Sequence, residues 1–467
     1  MAKFSLVCPI CGNESAINDS YVCGKCGKIM EYMIDTEFLK SASFKGSTSF
    51  WKYRSVMPPV KKAVSLGEGG TPYWKAERLG EHIGIENLIL KDETRNPTNS
   101  YKDRSASLMV SDATSQGFDS IICATSGNHG ASMAAYAAKE DITCHLVIPS
   151  ELDLGKLAQM IAYDAEVTES GPTTEDAVKK AIDIENKKGL YQATTELNPL
   201  SVEALKTISY EIAEQGGPPD WVVVAMGSGV TVHSVWKGFK ELEIIGLIDE
   251  TPKLVGVQAE GCSPITEAFL GAKTPIKKHE NYTVATAIRN QKPRYGPLAL
   301  EALKESKGIS VTVTDNEMLE YGKEIARTEG IFAEPASAAT VACLERLVKD
   351  GTISKDETVV SLITSSGLKT NDILQTLSKR KKTTGMGSKL ATKESLLKQI
   401  SLGKTYGYSL WKNLDRKMTI GAVYQHLSDL EERGLITSES EGKRRYLLMT
   451  EKGKKVLSAL DMLHDLL

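Results

Sequence analysis

Asn96-Pro97-Thr98-Asn99-Ser100-Tyr101-Lys102-Asp103-Arg104 decides how this chain is read. It follows a short apolar run, Leu88-Ile89-Leu90-Lys91, that has strand character, and it turns on Pro97. It then opens a segment rich in Ala, Ser and Leu that reads as a helix. A lysine at such a strand-turn-helix junction can be held partly out of water, which favours a nucleophilic amine able to form an imine. Most lysines are solvated surface charges, so Lys102 needs support from elsewhere in the sequence.

That support lies in three further strand-to-loop transitions. Ile121-Ile122-Cys123-Ala124 runs into Thr125-Ser126-Gly127-Asn128-His129-Gly130 and then an Ala-rich helix. Trp221-Val222-Val223-Val224-Ala225 runs into Met226-Gly227-Ser228-Gly229-Val230-Thr231 and another helical stretch. Val359-Val360-Ser361-Leu362-Ile363 ends in Thr364-Ser365-Ser366-Gly367. Small polar residues at a helix start expose backbone N–H groups that suit a carboxylate or phosphate. Each loop alone is ordinary for an α/β protein. Three of them beside the lysine, all at the carboxyl ends of apolar strands, predict one shared crevice.

Together with Gly67-Glu68-Gly69-Gly70-Thr71-Pro72, Thr286-Ala287-Ile288-Arg289, Phe332-Ala333-Glu334-Pro335-Ala336-Ser337-Ala338-Ala339 and Thr364-Ser365-Ser366-Gly367-Leu368-Lys369, these stretches resemble threonine synthase in order and spacing, across roughly residues 60–378. That family consists of pyridoxal-phosphate (PLP) enzymes of fold type II, the tryptophan-synthase-β group. The resemblance implies two doubly wound α/β subdomains over residues 36–378, the smaller at about 105–190. It implies Lys102 as the lysine that holds PLP and later moves protons. Gly227, Ser228, Gly229, Val230 and Thr231 would cradle the cofactor phosphate, Asn128 would meet the ring oxygen, and Thr364 would face the ring nitrogen. Thr125, Ser126, Gly127 and Asn128 would hold the substrate carboxylate, with His129 in a packing role. The implied reaction turns O-phosphohomoserine and water into threonine and phosphate, in a homodimer.

The chain departs from the family in one place. Many threonine synthases carry Asn-Pro-Tyr-Arg with the Arg on the substrate phosphate, whereas this chain reads Asn198-Pro199-Leu200-Ser201 and has Glu196 where Ser is usual. Replacing Arg by Ser removes a bidentate anion clamp, and Lys206 or Arg289 are the cations that could compensate. Two related chemistries compete for the same core: a cysteate-synthase-like replacement on O-phosphoserine, and a threonine or serine dehydratase. A transcription regulator whose PLP domain serves as a sensor is the alternative of another class.

Cys8-Pro9-Ile10-Cys11 and Cys23-Gly24-Lys25-Cys26 form two CxxC knuckles within a short polar segment, residues 1–35. Four thiolates in this spacing predict a closed, structural zinc ribbon. Disulfides are disfavoured in a chain that opens without a signal-like segment. Cys123, Cys144, Cys262 and Cys343 lie in apolar runs and read as small core residues.

Residues 379–392, basic and then Gly/Ser-rich, read as a linker. Beyond it come a short helix at 394–400, a second opening at Gly407, and a third over 419–433 with Val423, Leu427 and Leu430 on one face. A basic hairpin with Lys443-Arg444-Arg445 and a last helix follow. The module over 393–467 resembles PadR-like winged-helix regulators. DNA would then meet Thr419 and Gln425 on the third helix and the wing at Lys443, Arg444 and Arg445, although Asp429, Glu431 and Glu432 share that helix. A net charge of -3 over 467 residues gives no whole-chain attraction to nucleic acid, and no apolar run approaches the ~20 residues that span a bilayer. A cytoplasmic enzyme is the expectation.

Overall fold

The computed structural model describes residues 3–17, 21–150, 152–271, 282–370, 386–413, 420–441 and 444–465. The chain divides into two compact units, Met1–Ile373 and Leu374–Leu467.

The first unit opens with three short strands, β1 (Phe4–Val7), β2 (Glu14–Ser15) and β3 (Glu31–Ile34), in an antiparallel sheet of order β2-β1-β3. The knuckle cysteines sit on its turns. Ten more strands build two larger sheets: β4 (Tyr73–Lys75), β5 (Asn87–Asp92), β6 (Ser120–Ala124), β7 (Thr143–Ile148), β8 (Glu166–Glu169), β9 (Tyr191–Gln192), β10 (Trp221–Ala225), β11 (Lys253–Ala259), β12 (Ile309–Val313) and β13 (Thr358–Ile363). The larger sheet has the order β12-β11-β10-β13-β5-β4 and is parallel except for the edge strand β4. The smaller, β8-β7-β6-β9, is wholly parallel. Strands such as Trp221–Ala225 are buried along their whole length, as expected when helices cover both faces of a parallel sheet. The smaller sheet spans 120–192.

Helix Lys102–Gln116 is buried from Asp103 to Ala113 although it carries Asp103, Arg104, Ser105, Ser107, Ser111 and Asp112. Such a helix survives in the interior only if every polar group finds a partner. Arg104 shows how: its guanidinium reaches Glu93 at 2.7 and 2.9 Å and Glu211 at 2.6 and 2.8 Å, with Thr207 Oγ1 at 3.2 Å. Lys91 Nζ adds a 2.7 Å contact to Glu211, and all four ions are fully buried.

The second unit carries helices Met386–Ser401, Gly407–Asn413 and Ile420–Glu432, the hairpin Ile436–Glu441/Arg444–Met449, and helix Glu451–Asp465. Its own core gathers Leu396, Leu397, Ile400, Leu410, Val423, Leu427, Leu430 and Ile436. The first helix starts at Met386, inside the stretch read as linker; there the helix prevails over the glycine-rich composition. Residues 379–385 lie outside the described residues, as do Thr419 and Lys443. Among the described residues no helix is long and apolar enough to cross a membrane.

Candidate active site

Lys102 is placed by a stitched turn. After β5, Asp92 caps a single helical turn by accepting from Thr94 N at 3.1 Å, and Asn99 takes a left-handed backbone with φ 61°. The turn is then sewn to the loop that follows β13. Tyr101 N donates to Thr364 O (2.9 Å), Ser366 N donates to Asn99 O (3.0 Å), and Ser365 Oγ donates to Ser100 Oγ (2.7 Å). Because β5 and β13 are paired neighbours, with Asp92 opposite Ile363, Lys102 opens its helix next to Thr364.

Lys102 is half-buried and lines a cleft of about 860 Å³, counted out to its open mouth. Thr125, Ser126, Asn128, Gly227, Ser228, Thr231 and Thr364 line the same cleft. The residues singled out from four separate stretches therefore meet in one place. Gly127, Gly229 and Val230 contribute backbone rather than cleft-lining side chains. Gly127 caps helix Asn128–Lys139 at φ 139° and Gly229 caps helix Val230–Ile245 at φ 93°. A Cβ on Gly229 would fall 2.8 Å from Tyr295 O, so only glycine lets this loop lie against the residue behind it.

A PLP cofactor fits these residues on three counts. The start of the sixteen-residue helix Val230–Ile245 offers unpaired N–H groups for a phosphate beside Ser228 and Thr231. An amine lies in the same cleft. Finally, two buried side-chain atoms there, Asn128 Oδ1 and His129 Nδ1, have no hydrogen-bond partner among the described residues. The Tyr101 hydroxyl is 2.9 Å from Thr231 Oγ1, which ties the residue before Lys102 to the glycine-rich loop. The Thr364 hydroxyl is 2.9 Å from Ser337 Oγ, and Ser337 also takes the Ser365 N–H at 2.9 Å. His129 Nε2–H donates to Ala193 O at 2.8 Å, leaving Nδ1 as the unprotonated acceptor. Burial, then the nearby Lys102 charge, push the His129 pKa down to about 3. It is a neutral ring at the cleft wall, in keeping with a packing role.

Three charged residues at the site had no role assigned from the sequence. Glu334 accepts from Asn128 Nδ2 with both carboxylate oxygens at 3.0 Å, so the amide oxygen is the part of Asn128 left unengaged. Lys156, fully buried, donates to Asp153 Oδ2 (2.6 Å) and Thr286 Oγ1 (3.0 Å). Its stem runs under Gly127, where an added Cβ would come within 2.3 Å of Lys156 Cδ. Lys369 is buried with Nζ unpartnered among the described residues. Burial first, offset by Asp103 and Glu334, brings its pKa down to about 8. Glu334 and Lys369 both stand inside motifs that carried the resemblance, so proximity in the fold was the missing signal.

The compensating cations separate cleanly. Lys206 is buried against Glu203 (2.6 Å) and Glu241 (3.0 Å), outside the cleft lining. Arg289 lines the cleft and also an outer cavity that holds Lys179 and Lys292. Ser201 is buried outside the cleft lining with its hydroxyl on Thr195 O at 2.8 Å. Glu196 lines the cleft.

At the other end of this unit, the Sγ atoms of Cys8, Cys11, Cys23 and Cys26 all lie within 4.8 Å of one another, with Cys8–Cys26 at 3.4 Å and Cys11–Cys23 at 3.6 Å. Four thiols so disposed could hold a metal ion. In the winged-helix unit, Gln425 is exposed, while Arg445 is engaged by Glu431 (2.5 Å) and Ser438 (2.9 Å). Asp429 is engaged by Lys393 and by Arg433 (3.0 Å).

Residues 64–365 match the family model of pyridoxal-phosphate dependent enzymes, and residues 396–459 match that of the PadR-like transcriptional regulators. The threonine synthase of Methanocaldococcus jannaschii is 39% identical over 78% of this chain and 93% of its own length. That of Methanosarcina acetivorans is 39% identical over 78% and 92%. Among solved structures, a fungal L-serine ammonia-lyase from Rhizomucor miehei superposes with a TM-score of 0.58 at 18% identity, over 66% of this chain and 98% of that one. Threonine deaminase isoform 2 from Solanum lycopersicum gives 0.55 at 21%, over 66% and 87%. These two share the fold. The amine, the glycine-rich helix start and the Thr125–Asn128 turn around one cleft, with these relatives, place the chain: it belongs to the pyridoxal-phosphate-dependent enzymes, in the threonine synthase family, with a PadR-like domain at its C-terminal end.

Proposed function

We propose that the chain is a PLP-dependent carbon–oxygen lyase that converts O-phosphohomoserine and water to threonine and phosphate. The observation that carries this reading is the convergence of Lys102, the Thr125–Asn128 turn, the Gly227–Thr231 loop and Thr364 on one cleft. When bound, PLP supplies the electron sink that makes the protons of the substrate carbon chain removable. Lys102 is the group that covalently anchors the cofactor and then takes and returns protons at the substrate carbons. Gly227, Ser228, Gly229, Val230 and Thr231 hold the cofactor phosphate through backbone N–H groups and hydroxyls. Thr364, fixed by Ser337, gives the ring nitrogen a neutral hydroxyl. Asn128 meets the ring oxygen, which requires its amide to share hydrogen bonding with Glu334. Thr125, Ser126, Gly127 and Asn128 grip the substrate carboxylate at a helix start.

Full-length protein loaded with PLP is expected to release phosphate and form threonine from O-phosphohomoserine. Offered in parallel, O-phosphoserine with sulfite, threonine, and serine are expected to give little product; 2-oxo acid from threonine with no phosphate release from O-phosphohomoserine would overturn the assignment. Lys102→Ala is expected to abolish turnover and the visible absorbance of lysine-bound cofactor.

Three accessory features belong to the same reading. Zinc in the four-cysteine site is structural, since four thiolates leave no open position; metal analysis of the purified chain should find about one zinc, lost in Cys23→Ser. The winged helix binds DNA through the exposed face around Gln425, and a salt-sensitive gel shift with the organism's own promoter fragments checks this. The enzyme works as a homodimer in the cytoplasm, and sedimentation of the full chain tests the dimer.

A further inference from the structure

We propose that Glu196, which stands where a serine is usual in the threonine synthase pattern, is the proton donor to the leaving group. The inference rests on the O-phosphohomoserine reading and adds a residue to it. Glu196 is 9% exposed, lines the same cleft as Lys102, and accepts from Asn290 Nδ2 at 2.7 Å. Asn290 and its neighbour Arg289 line that cleft as well. The Arg294 backbone amide is a second donor to the carboxylate, while the Arg294 side chain is taken up by Glu175 at 3.1 Å. Of the other ionisable groups that line the cleft or couple to Glu196, Tyr295 is buried and held protonated, His129 is neutral, and Lys102 shares the cleft lining.

The chemistry calls for an acid at this place. Expelled without a proton, the phosphate ester's bridging oxygen would leave as a trianion. In the elimination, the Cβ–H electron pair becomes the Cβ=Cγ bond and the proton passes to Lys102. The Cγ–O pair departs with the oxygen, and the Glu196 proton joins that oxygen, so that hydrogen phosphate leaves. Lys102 then returns its proton to Cγ, water adds at Cβ and releases its proton to solvent, and Glu196 is reprotonated from solvent before the next turnover. A neutral carboxyl also donates a hydrogen bond to phosphate, which answers the absence of an arginine at Ser201. Burial raises the Glu196 pKa to about 7 against the opposing pull of Arg294, its backbone amide and Asn290, with Glu175 adding to the rise. The acid form is therefore populated at neutral pH and lost as pH rises through about 7, more so before the dianionic substrate binds than after.

The test compares PLP-loaded wild type with E196Q and E196D, on O-phosphohomoserine and on 2-aminobut-3-enoate. The second substrate already has the double bond and has no leaving group to protonate. E196Q keeps a hydrogen-bond donor but has no proton to give. Its phosphate release is expected to fall about 10²–10⁴-fold with KM within a few-fold of wild type. Its threonine formation from 2-aminobut-3-enoate should stay at the wild-type rate. The fall in kcat/KM with rising pH near 7 should disappear in E196Q and persist, at reduced rate, in E196D. Phosphate release by E196Q near the wild-type rate, or equal loss on both substrates, would refute the proposal. A wild type that releases no phosphate overturns the threonine synthase reading itself, and the inference falls with it.

Discussion

Two buried ion clusters flank the start of helix Lys102–Gln116, and they are built to opposite rules. On one side Arg104, Glu93, Glu211 and Lys91 are fully buried and bonded to one another at 2.6–2.9 Å. On the other, around the cleft, Asn128 Oδ1, His129 Nδ1 and Lys369 Nζ are buried without partners among the described residues, while Glu334 and Lys156 are 4.0 Å apart. A completed network fixes a backbone; an incomplete one leaves hydrogen-bonding capacity for something that is to arrive. The first cluster holds the helix that presents Lys102, and the second lies where substrate and cofactor are expected.

The sharpest way to break this contrast is Arg104→Met. It strands two buried carboxylates, of which Lys91 reaches only Glu211, so unfolding free energy should fall by about 3–5 kcal/mol in denaturant titration. A loss under about 1 kcal/mol would make the two clusters alike. Glu334→Gln should be milder for the fold, about 1–2 kcal/mol, yet should cut turnover about tenfold by releasing the Asn128 amide. Equal loss in both measurements would assign Glu334 to the scaffold. Lys369→Met removes a buried amine that has no partner among the described residues. Since the folded pKa is about 8 against an ordinary 10.5, the unfolded chain binds more protons between those values, and wild-type stability should rise with pH across that window. The variant should lose this slope and be no less stable at pH 7, readable from melts at several pH values. Smallest of all, Tyr101→Phe cuts the 2.9 Å tie to Thr231 and should weaken PLP binding about fivefold, the equivalent of ~1 kcal/mol, by absorbance titration.

The same contrast separates what the sequence reveals from what it conceals. Lys102, the Thr125–Asn128 turn and the Gly227–Thr231 loop are legible because each is local: strand, small residues and helix start are consecutive. Arg104 with Glu211, Asn128 with Glu334, and Tyr101 with Thr231 each join residues more than one hundred positions apart, and nothing in either partner's neighbourhood announces the other. Composition also misjudged the start of the winged-helix unit, where helix Met386–Ser401 begins inside a stretch whose glycines suggested a linker. The substitution at Ser201 was visible at once, but only the fold shows that its hydroxyl is turned to Thr195 O and that Lys206 is committed to Glu203 and Glu241.

The backbone stitch between Asn99–Tyr101 and Thr364–Ser366 has a consequence for how the enzyme can be altered. The spacing between the amine and the hydroxyl of Thr364 is set by main-chain bonds, which side-chain replacement does not cut. Glu196 and Arg289, which line the same cleft, sit on other loops. Leaving-group preference can therefore be re-engineered at those loops, with no change within residues 96–104, while the cofactor seat keeps its dimensions.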